Sequence, residues 1–266
     1  MSTTKLRILS LGAGVQSTTL ALMAAHGEVG PMPDAAIFAD TGDEPDAVYD
    51  HLRWLMSPNV LPFPVHITST GRLSEKLFQG DDEARVPFHV GAGGLSKRQC
   101  TRNYKLRPIR RKVRKLLGVG PKGRIAAGAV EIWVGISLDE AIRIKPSGRD
   151  YLTNRWPLIE KRIRRTDCMR WLERRGYDVP PKSSCVYCPY RSDAQWRDLR
   201  DSDPAGWQRA VEVDRRLREP DQVARFRGQL YAHRSCKPLD QVDLSTPEDH
   251  GQLNLFLNEC EGMCGV

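Results

Sequence analysis

The feature that most constrains this chain is an alternation of short apolar runs with stretches of helical periodicity. Leu6-Arg7-Ile8-Leu9-Ser10-Leu11 reads as a strand that breaks at Gly12-Ala13-Gly14. Between Ser17 and Ala25, Leu20, Met23 and Ala24 fall on one helical face, and Gly27 supplies a stop. Residues 35–39 form a second apolar run, followed by Val48, Leu52 and Leu55 at helical spacing. Residues 64–68 and 130–136 read as third and fourth strands. Strands separated by helix-length crossovers pair in parallel, and a parallel sheet needs helices on both faces. The expected class is therefore α/β.

The length of 266 residues suits one large α/β domain with an appendage. The expected division is a core over 1–190 and a helical extension over 191–266, ending in a cysteine-containing tail. Asp203-Pro204 is a helix start in that extension, an acidic cap before Pro at the first position, with Trp207, Val211 and Leu217 following. Residues 80–94 combine three consecutive acids with Gly91-Ala92-Gly93-Gly94 and read as a mobile loop or lid. No apolar run reaches the roughly 18 residues of a membrane helix. The first residues lack the apolar stretch of a secretion signal. The expectation is a cytoplasmic protein without a membrane partner. Its seven cysteines, an odd number in a reducing compartment, point to metal or redox chemistry rather than disulfides.

The segment Ser10-Leu11-Gly12-Ala13-Gly14-Val15-Gln16-Ser17-Thr18 joins the first strand to the first helix. Glycines let the backbone turn tightly and aim amides at an anion, and the helix N-terminus adds partial positive charge. Ser17 and Thr18 are candidate caps or phosphate donors. The segment lacks the Gly-Lys-Ser/Thr of a Walker A loop, and by itself it is equally a plain glycine turn. The second strand ends Asp40-Thr41-Gly42-Asp43, so a second small-residue turn is expected at the carboxyl edge of the sheet, where α/β proteins bind ligands.

These residues resemble the PP-loop ATP pyrophosphatases, in particular the branch related to phosphoadenosine phosphosulfate (PAPS) reductase. The resemblance covers most of residues 5–190. Residues 12–18 are similar to that family's Ser-Gly-Gly-x-Asp-Ser-Thr loop, Asp40-Thr41-Gly42 to its second-strand motif, and Gly135-Ile136-Ser137 with Glu140 and Arg143 to a third nucleotide-site motif. The resemblance implies a Rossmann-like, adenine-nucleotide alpha-hydrolase-like sheet. It also implies ATP with Mg2+ bound by Gly12, Ala13, Gly14, Gln16, Ser17, Thr18, Asp40, Thr41, Gly42, Gly135 and Ile136. Gln16, Ser17, Glu140 and Arg143 are then expected to serve cleavage between the α and β phosphates. The chain departs from the family at Gln16, where Asp is usual; a metal is expected to find another carboxylate, Asp43 or Glu140. Glu140 and Arg143 have a plainer reading as a surface i,i+3 pair worth about 0.2–0.5 kcal/mol.

Cys185-Val186-Tyr187-Cys188-Pro189 is a Cys-x2-Cys turn, which points two thiolates at one centre. Cys168 lies upstream on a helix-like segment, and Cys100 sits in Gln99-Cys100-Thr101-Arg102-Asn103-Tyr104, a string similar to the cysteine segment of the reductase branch. Cys100, Cys168, Cys185 and Cys188 are the expected ligands of a [4Fe–4S] cluster, with tetrahedral zinc as the alternative. The plain alternative for Cys168 is a buried apolar cysteine. Cys260 and Cys264 in the tail are candidates for carrying a persulfide or forming a transient disulfide, or form an inert terminus. Cys236 has basic neighbours that favour its thiolate, or is structural. His26, His51, His66 and His89 show no ligand spacing and read as ordinary.

The net charge is +8, and residues 97–115 hold ten Lys and Arg with no acid. At helical spacing Ile109, Val113, Leu116 and Leu117 form one face after Pro108, and Arg107, Arg110, Arg111, Arg114 and Lys115 gather opposite. A charge run is usually a solvated face; a run of one sign points instead to a polyanion. Three functions are weighed. The first is adenylation of tRNA or DNA for sulfur transfer (tRNA thiolation or DNA phosphorothioation), supplied by a donor such as a cysteine desulfurase. The second is a PAPS or adenylylsulfate reductase, disfavoured because Gln99-Cys100 stands where iron–sulfur forms carry Cys-Cys. The third is a non-catalytic nucleotide- or nucleic-acid-binding protein, suggested by Gln16.

Overall fold

The structure is a computed structural model that describes residues 5–245 and residue 249. The elements run β1 (Leu6–Leu11), α1 (Val15–Ala25), β2 (Ala35–Asp40), α2 (Asp46–Leu55), β3 (Val65–Ser69), α3 (Leu73–Phe78), β4 (His89–Val90), α4 (Arg107–Leu116), β5 (Val130–Val134) and β6 (Leu152–Arg155). They continue with α5 (Pro157–Glu160), α6 (Arg165–Arg174), α7 (Asp193–Ser202), α8 (Pro204–Arg216), α9 (Pro220–Phe226) and β7 (Leu230–Tyr231). The chain divides into two compact units that are interleaved in sequence. The first takes the chain up to Asp40, Ala47–Ser69 and Lys105–Ser183; the second takes Thr41–Asp46, Thr70–Tyr104 and the chain beyond Ser183. The division expected at residue 190 is therefore corrected. Segments 41–46 and 70–104, in the middle of the α/β alternation, belong with the C-terminal helices.

The first unit is a Rossmann-like α/β fold. Its five strands lie in the order β3-β2-β1-β5-β6, every neighbouring pair parallel. Adjacent residues of a strand serve opposite cores, as the two-residue period requires. Leu9, Leu11, Ala36 and Phe38 pack with Leu20 and Leu22 of α1 and Leu172 of α6. Ile8, Ile37 and Ile132 pack with Ile109 and Val113 of α4 on the other face. Helix α1 is buried nearly all round, which explains its apolar run without a polar stripe. Leu116, expected on the buried face of α4, is exposed; the helix needs only Ile109 and Val113 to cover the strands. Strand β6 escaped the sequence reading because Leu-Thr-Asn-Arg carries one buried apolar residue, as suits the edge of a sheet. Strand order reverses between β1 and β5, so the crevice at their carboxyl ends is the topological switch point where α/β folds bind ligands.

The second unit has its own core. Phe88, Tyr104, Tyr187, Trp196, Leu199 and Leu217 are among its buried residues, with β4 and β7 paired antiparallel. Helix α8 begins as expected at Asp203-Pro204, with the Asp203 carboxylate accepting from Gly206 N at 2.8 Å. Residues 80–94, expected as a mobile loop or lid, contribute in part to this core. Ala84, Val86 and Phe88 are buried, and Gly93 and Gly94 close a turn after β4. Among the described residues, no helix is long and apolar enough to cross a membrane. If this segment is core, Phe88→Ala will cost about 3–5 kcal/mol, read as a shift in the urea midpoint. A midpoint within experimental error of wild type would restore the loop reading.

Candidate functional site

At the switch point of the first unit, the loop after β1 meets the loop after β5. Gly14 caps α1 with its backbone, and the amides of Val15, Gln16 and Ser17 begin the helix without intrahelical acceptors. The loop is braced from within. Gly12 N donates to Ser17 Oγ at 3.1 Å, Ser17 Oγ donates to Gly14 O at 3.2 Å, and Ser183 Oγ donates to Gly12 O. Ala13 is buried at φ +56, a left-handed conformation that glycine adopts without cost. After β5, Gly135 is obligatory: a Cβ there would lie 2.9 Å from both Ser17 N and Ser17 Cα. Ile136 is buried and supports the loop from the core.

Gln16 is the centre of the polar side chains. Its Nε2 donates to Glu140 Oε2 at 3.1 Å and reaches Ser137 Oγ at 3.5 Å, and its Oε1 accepts from Arg165 Nη1 at 2.8 Å. Arg143 Nη1 lies 2.6 Å from Glu140 Oε1, and both side chains are largely buried, at 13% and 9% exposure. The pair is not the surface pair of the plainer reading. A neutral amide suits this position because it bonds a carboxylate and a guanidinium at once; an acid there would face Glu140. The guanidinium groups of Arg143 and Arg165 stand beside a helix N-terminus, a setting that favours a phosphate chain, and the carboxylates among them are Glu140 and Asp139, which accepts from Arg165 N at 3.0 Å. Arg165 was invisible to sequence reasoning: it lies 149 positions from Gln16 and opens α6 with no motif around it.

Other expected ligands are placed differently. Thr18 is fully buried; its amide donates to Gly14 O at 2.9 Å and its hydroxyl lies 3.0 Å from His51 Nε2, so it faces the core and not a phosphate. Asp40 accepts from Tyr49 at 2.9 Å. Thr41 and Gly42 belong to the second unit, where Thr41 is buried with Oγ1 3.2 Å from Cys185 Sγ and Gly42 O accepts from Arg72 Nε at 3.0 Å. Asp43 is no free metal ligand. Its two oxygens accept from Arg72 Nε at 3.1 Å, Ser74 Oγ and Ser74 N at 2.8 Å, and Tyr187 OH at 2.7 Å. Glu140, the other candidate, has both oxygens engaged by Gln16 and Arg143.

In the second unit, the Cys185–Cys188 turn is closed by Cys188 N donating to Cys185 O at 2.9 Å, and Val186 N donates to Asp43 O at 2.8 Å. Arg191, buried beneath, donates to Ser184 O at 3.2 Å. Tyr187 is held protonated, its hydroxyl pushed well above the usual value by burial, then by charge on Cys185, by Asp43 and by charge on Cys100. Tyr190 is raised by burial and, more weakly, by Cys188 and Cys100, against Arg98. Cys100 acts on both tyrosines, Cys185 on Tyr187 and Cys188 on Tyr190, and Cys100 and Cys185 pack against the same core. Cys168 has a different environment. It is fully buried in the first unit's core, and burial pushes its thiol up to about 12, the environment of an inert packing cysteine. Among the described residues no group of three or more His, Cys, Asp or Glu is assembled to hold a metal ion. Cys236, half-buried at φ +53, directs its thiol toward Val90 O at 3.6 Å. Cys260 and Cys264 lie outside the described residues.

Two predictions follow from this geometry. Gln16→Glu will set two carboxylates against each other, so its thermal midpoint will fall further below wild type at pH 8 than at pH 5, where protonation relieves the repulsion; an equal deficit at both pH values would separate Gln16 from Glu140. His51 is neutral at pH 7 because burial lowers its pKa to about 4, against a smaller opposing effect of Asp178. Its ordinary value is 6.5, so the unfolded chain takes up this proton first, and stability falls as pH drops from about 6.5 toward 4. In His51→Gln, urea midpoints across that window will flatten; an unchanged slope would assign the acid sensitivity elsewhere.

No family model and no curated protein matches the sequence. Among solved structures, the chain is similar to phosphoadenylyl-sulfate (PAPS) reductase from Candida auris in a phosphate complex, with 14% identity, 67% of this chain and 76% of that chain covered, and a TM-score of 0.43. It is also similar to the U34-tRNA thiolase NcsA from Methanococcus maripaludis with its [4Fe–4S] cluster, with 15% identity, 91% and 83% covered, and a TM-score of 0.40. Neither likeness assigns a residue or a reaction to this chain.

Proposed function

We propose that the chain is an ATP pyrophosphatase that adenylates an oxygen on nucleic acid, DNA or tRNA, so that sulfur can replace it. The observation that carries this reading is the switch-point crevice, where the N-terminus of α1 and the Gln16–Glu140–Arg143–Arg165 network offer amides and two guanidinium groups to a phosphate chain. The acceptor oxygen attacks the α-phosphorus of ATP, and the bridging bond to the β-phosphate breaks. The electron pair leaves with pyrophosphate, whose growing charge the helix N-terminus and the two guanidinium groups stabilise. A persulfide delivered by a partner such as a cysteine desulfurase attacks the activated centre through its terminal sulfur, AMP leaves with the acceptor oxygen, and a second thiolate then attacks the carrier sulfur, forming a disulfide and leaving reduced sulfur on the nucleic acid. Gln16 orients Arg165 and holds Glu140 and supplies no charge of its own. With Asp43 and Glu140 both engaged, Mg2+ comes with the triphosphate rather than in a protein cage.

Cys100, Cys185 and Cys188 form the thiol site of this reading, without Cys168, in the reducing cytoplasm. They are the residues to which a [4Fe–4S] cluster, or zinc as the alternative, is assigned; such a group would supply a Lewis-acidic or sulfur-holding centre. The Cys185–Cys188 turn and the packing of Cys100 and Cys185 against one core support this assignment.

The test is anaerobic purification, then pyrophosphate release from ATP with and without DNA or tRNA, with iron, sulfide and zinc measured on the same sample. Release that depends on ATP and rises with one nucleic acid is expected. Sulfite from PAPS with a thiol reductant would identify a reductase, and nucleotide binding without turnover a non-catalytic protein. Cys168→Ala will leave metal content unchanged and Cys185→Ala will lower it; the reverse would overturn the assignment of ligands.

A further inference from the structure

The basic segment around α4 does two separate jobs, and the sequence does not distinguish them. Arg110 Nη2 donates to Ser147 O at 3.0 Å, and Arg114 Nη2 donates to Gly123 O at 2.7 Å and to Gly120 O. These two arginines hold backbone. The loop that Arg114 fastens carries Lys122 and Arg124, both exposed. Arg111 and Lys115 are exposed at i and i+4, one turn apart on the helix, about 6 Å along its axis. Arg107 is exposed one turn earlier on the same stripe. The first unit therefore presents a helix row and a pinned loop of one sign.

Three observations separate this strip from ordinary solvated surface. Several exposed cations elsewhere have acids beside them: Arg215 pairs with Glu212 and Glu219, Arg170 with Asp167, Arg53 with Asp50, and Arg200 with Asp201. Among the described residues, no acid pairs with Arg111, Lys115, Lys122 or Arg124. Like charges at i,i+4 repel by roughly 0.2–0.5 kcal/mol, and Arg114 is used to bring further cations to the same helix, a cost without return unless an anion is present. Finally, Ile109 and Val113 of α4 are buried against the strands, which leaves Leu116 as the helix's one exposed apolar side chain to meet a lipid surface. That argues for a polymer of regularly spaced anions over a membrane.

We propose that Arg111, Lys115, Lys122 and Arg124 form a phosphate-binding strip for the nucleic acid on which the enzyme acts, gripping its backbone without reading bases, and that Arg114 is the positioning residue that holds the loop half of the strip. This rests on the nucleic-acid reading of the proposed function. The strip explains how a polymer is retained while its acceptor oxygen is being adenylated, and it predicts binding to many sequences with strong salt dependence.

The test measures binding of the full chain to a 30-base-pair DNA duplex and to tRNA across a salt series. The strip variant is Arg111→Gln/Lys115→Gln/Lys122→Gln/Arg124→Gln. The control variant is Arg53→Gln/Arg170→Gln/Arg200→Gln/Arg215→Gln, which removes equal charge from acid-paired positions. For a duplex, each lost phosphate contact removes about 0.9 from the slope of log K against log salt, so the strip variant will lose roughly 3–4 from the slope and more than about tenfold in affinity. The control will stay near wild type, and ATP binding will be unchanged in both. Equal weakening in the two variants would reduce the strip to net charge and overturn it. Wild-type affinity and slope in the strip variant would overturn the strip while leaving the nucleic-acid reading standing. A folded, ATP-binding wild type that binds neither probe would overturn both.

Discussion

The close approach of Gly135 to Ser17 sets the geometry of the first unit's site. With no side chain at 135, the exit of β5 comes against the first turn of α1, and a Cβ would occupy space 2.9 Å from Ser17 backbone atoms. Everything polar in the crevice depends on that contact. It lets Gln16 reach Ser137 and Glu140 across 121 and 124 residues of chain, and the same placement lets Arg165 reach Gln16. The sheet supplies the rest: β1 and β5 are neighbours in register from Leu6 opposite Val130 to Ser10 opposite Val134, so their following loops emerge side by side. Ala13 at φ +56, buried in this turn, shows that the local backbone is imposed by its surroundings, since an alanine does not choose that conformation alone.

The second unit is organised around a different buried polar group. Asp43 accepts four hydrogen bonds, from Arg72, twice from Ser74 and from Tyr187, while its own carbonyl receives Val186. A carboxylate at 5% exposure is tolerable only when its lone pairs are filled in this way. The result ties residues 41–46, residues 70–74 and the cysteine turn into one piece. Thr41 completes it with a hydroxyl against Cys185 Sγ. The Asp-Thr-Gly-Asp string, which reads as nucleotide chemistry, is spent here largely on holding a thiol-bearing turn.

Charge shows the same division of labour. The chain carries 41 Lys and Arg, but they are not equivalent. Some, such as Arg155 with Glu160, close ion pairs; some, such as Arg191 and Arg114, are donors that fix carbonyls; others, such as Arg111 and Lys115, face solvent with no acid paired among the described residues. Counting cations along a helix therefore overstates the surface offered to a polyanion, because donors committed to backbone have little left to give.

The sequence by itself determined the layer architecture, through the alternation of apolar runs with helical spacing, and it located the glycine loop of residues 12–14, the third loop at 135–137 and the cysteine turn at 185–188. Those signals are local: strand and helix periods, glycine where backbone must turn or approach, and two thiols within one turn. Tertiary structure alone decided which of them meet. It joined Arg165 to Gln16, buried Cys168 in an apolar core, turned Thr18 toward His51, buried Ala84, Val86 and Phe88 in a second core, and drew residues 41–46 and 70–104 out of the α/β alternation. Each of these outcomes depends on packing between residues far apart in the chain. A periodicity or a short motif carries no information about such partners, because burial and hydrogen-bond satisfaction are settled only when the partners arrive.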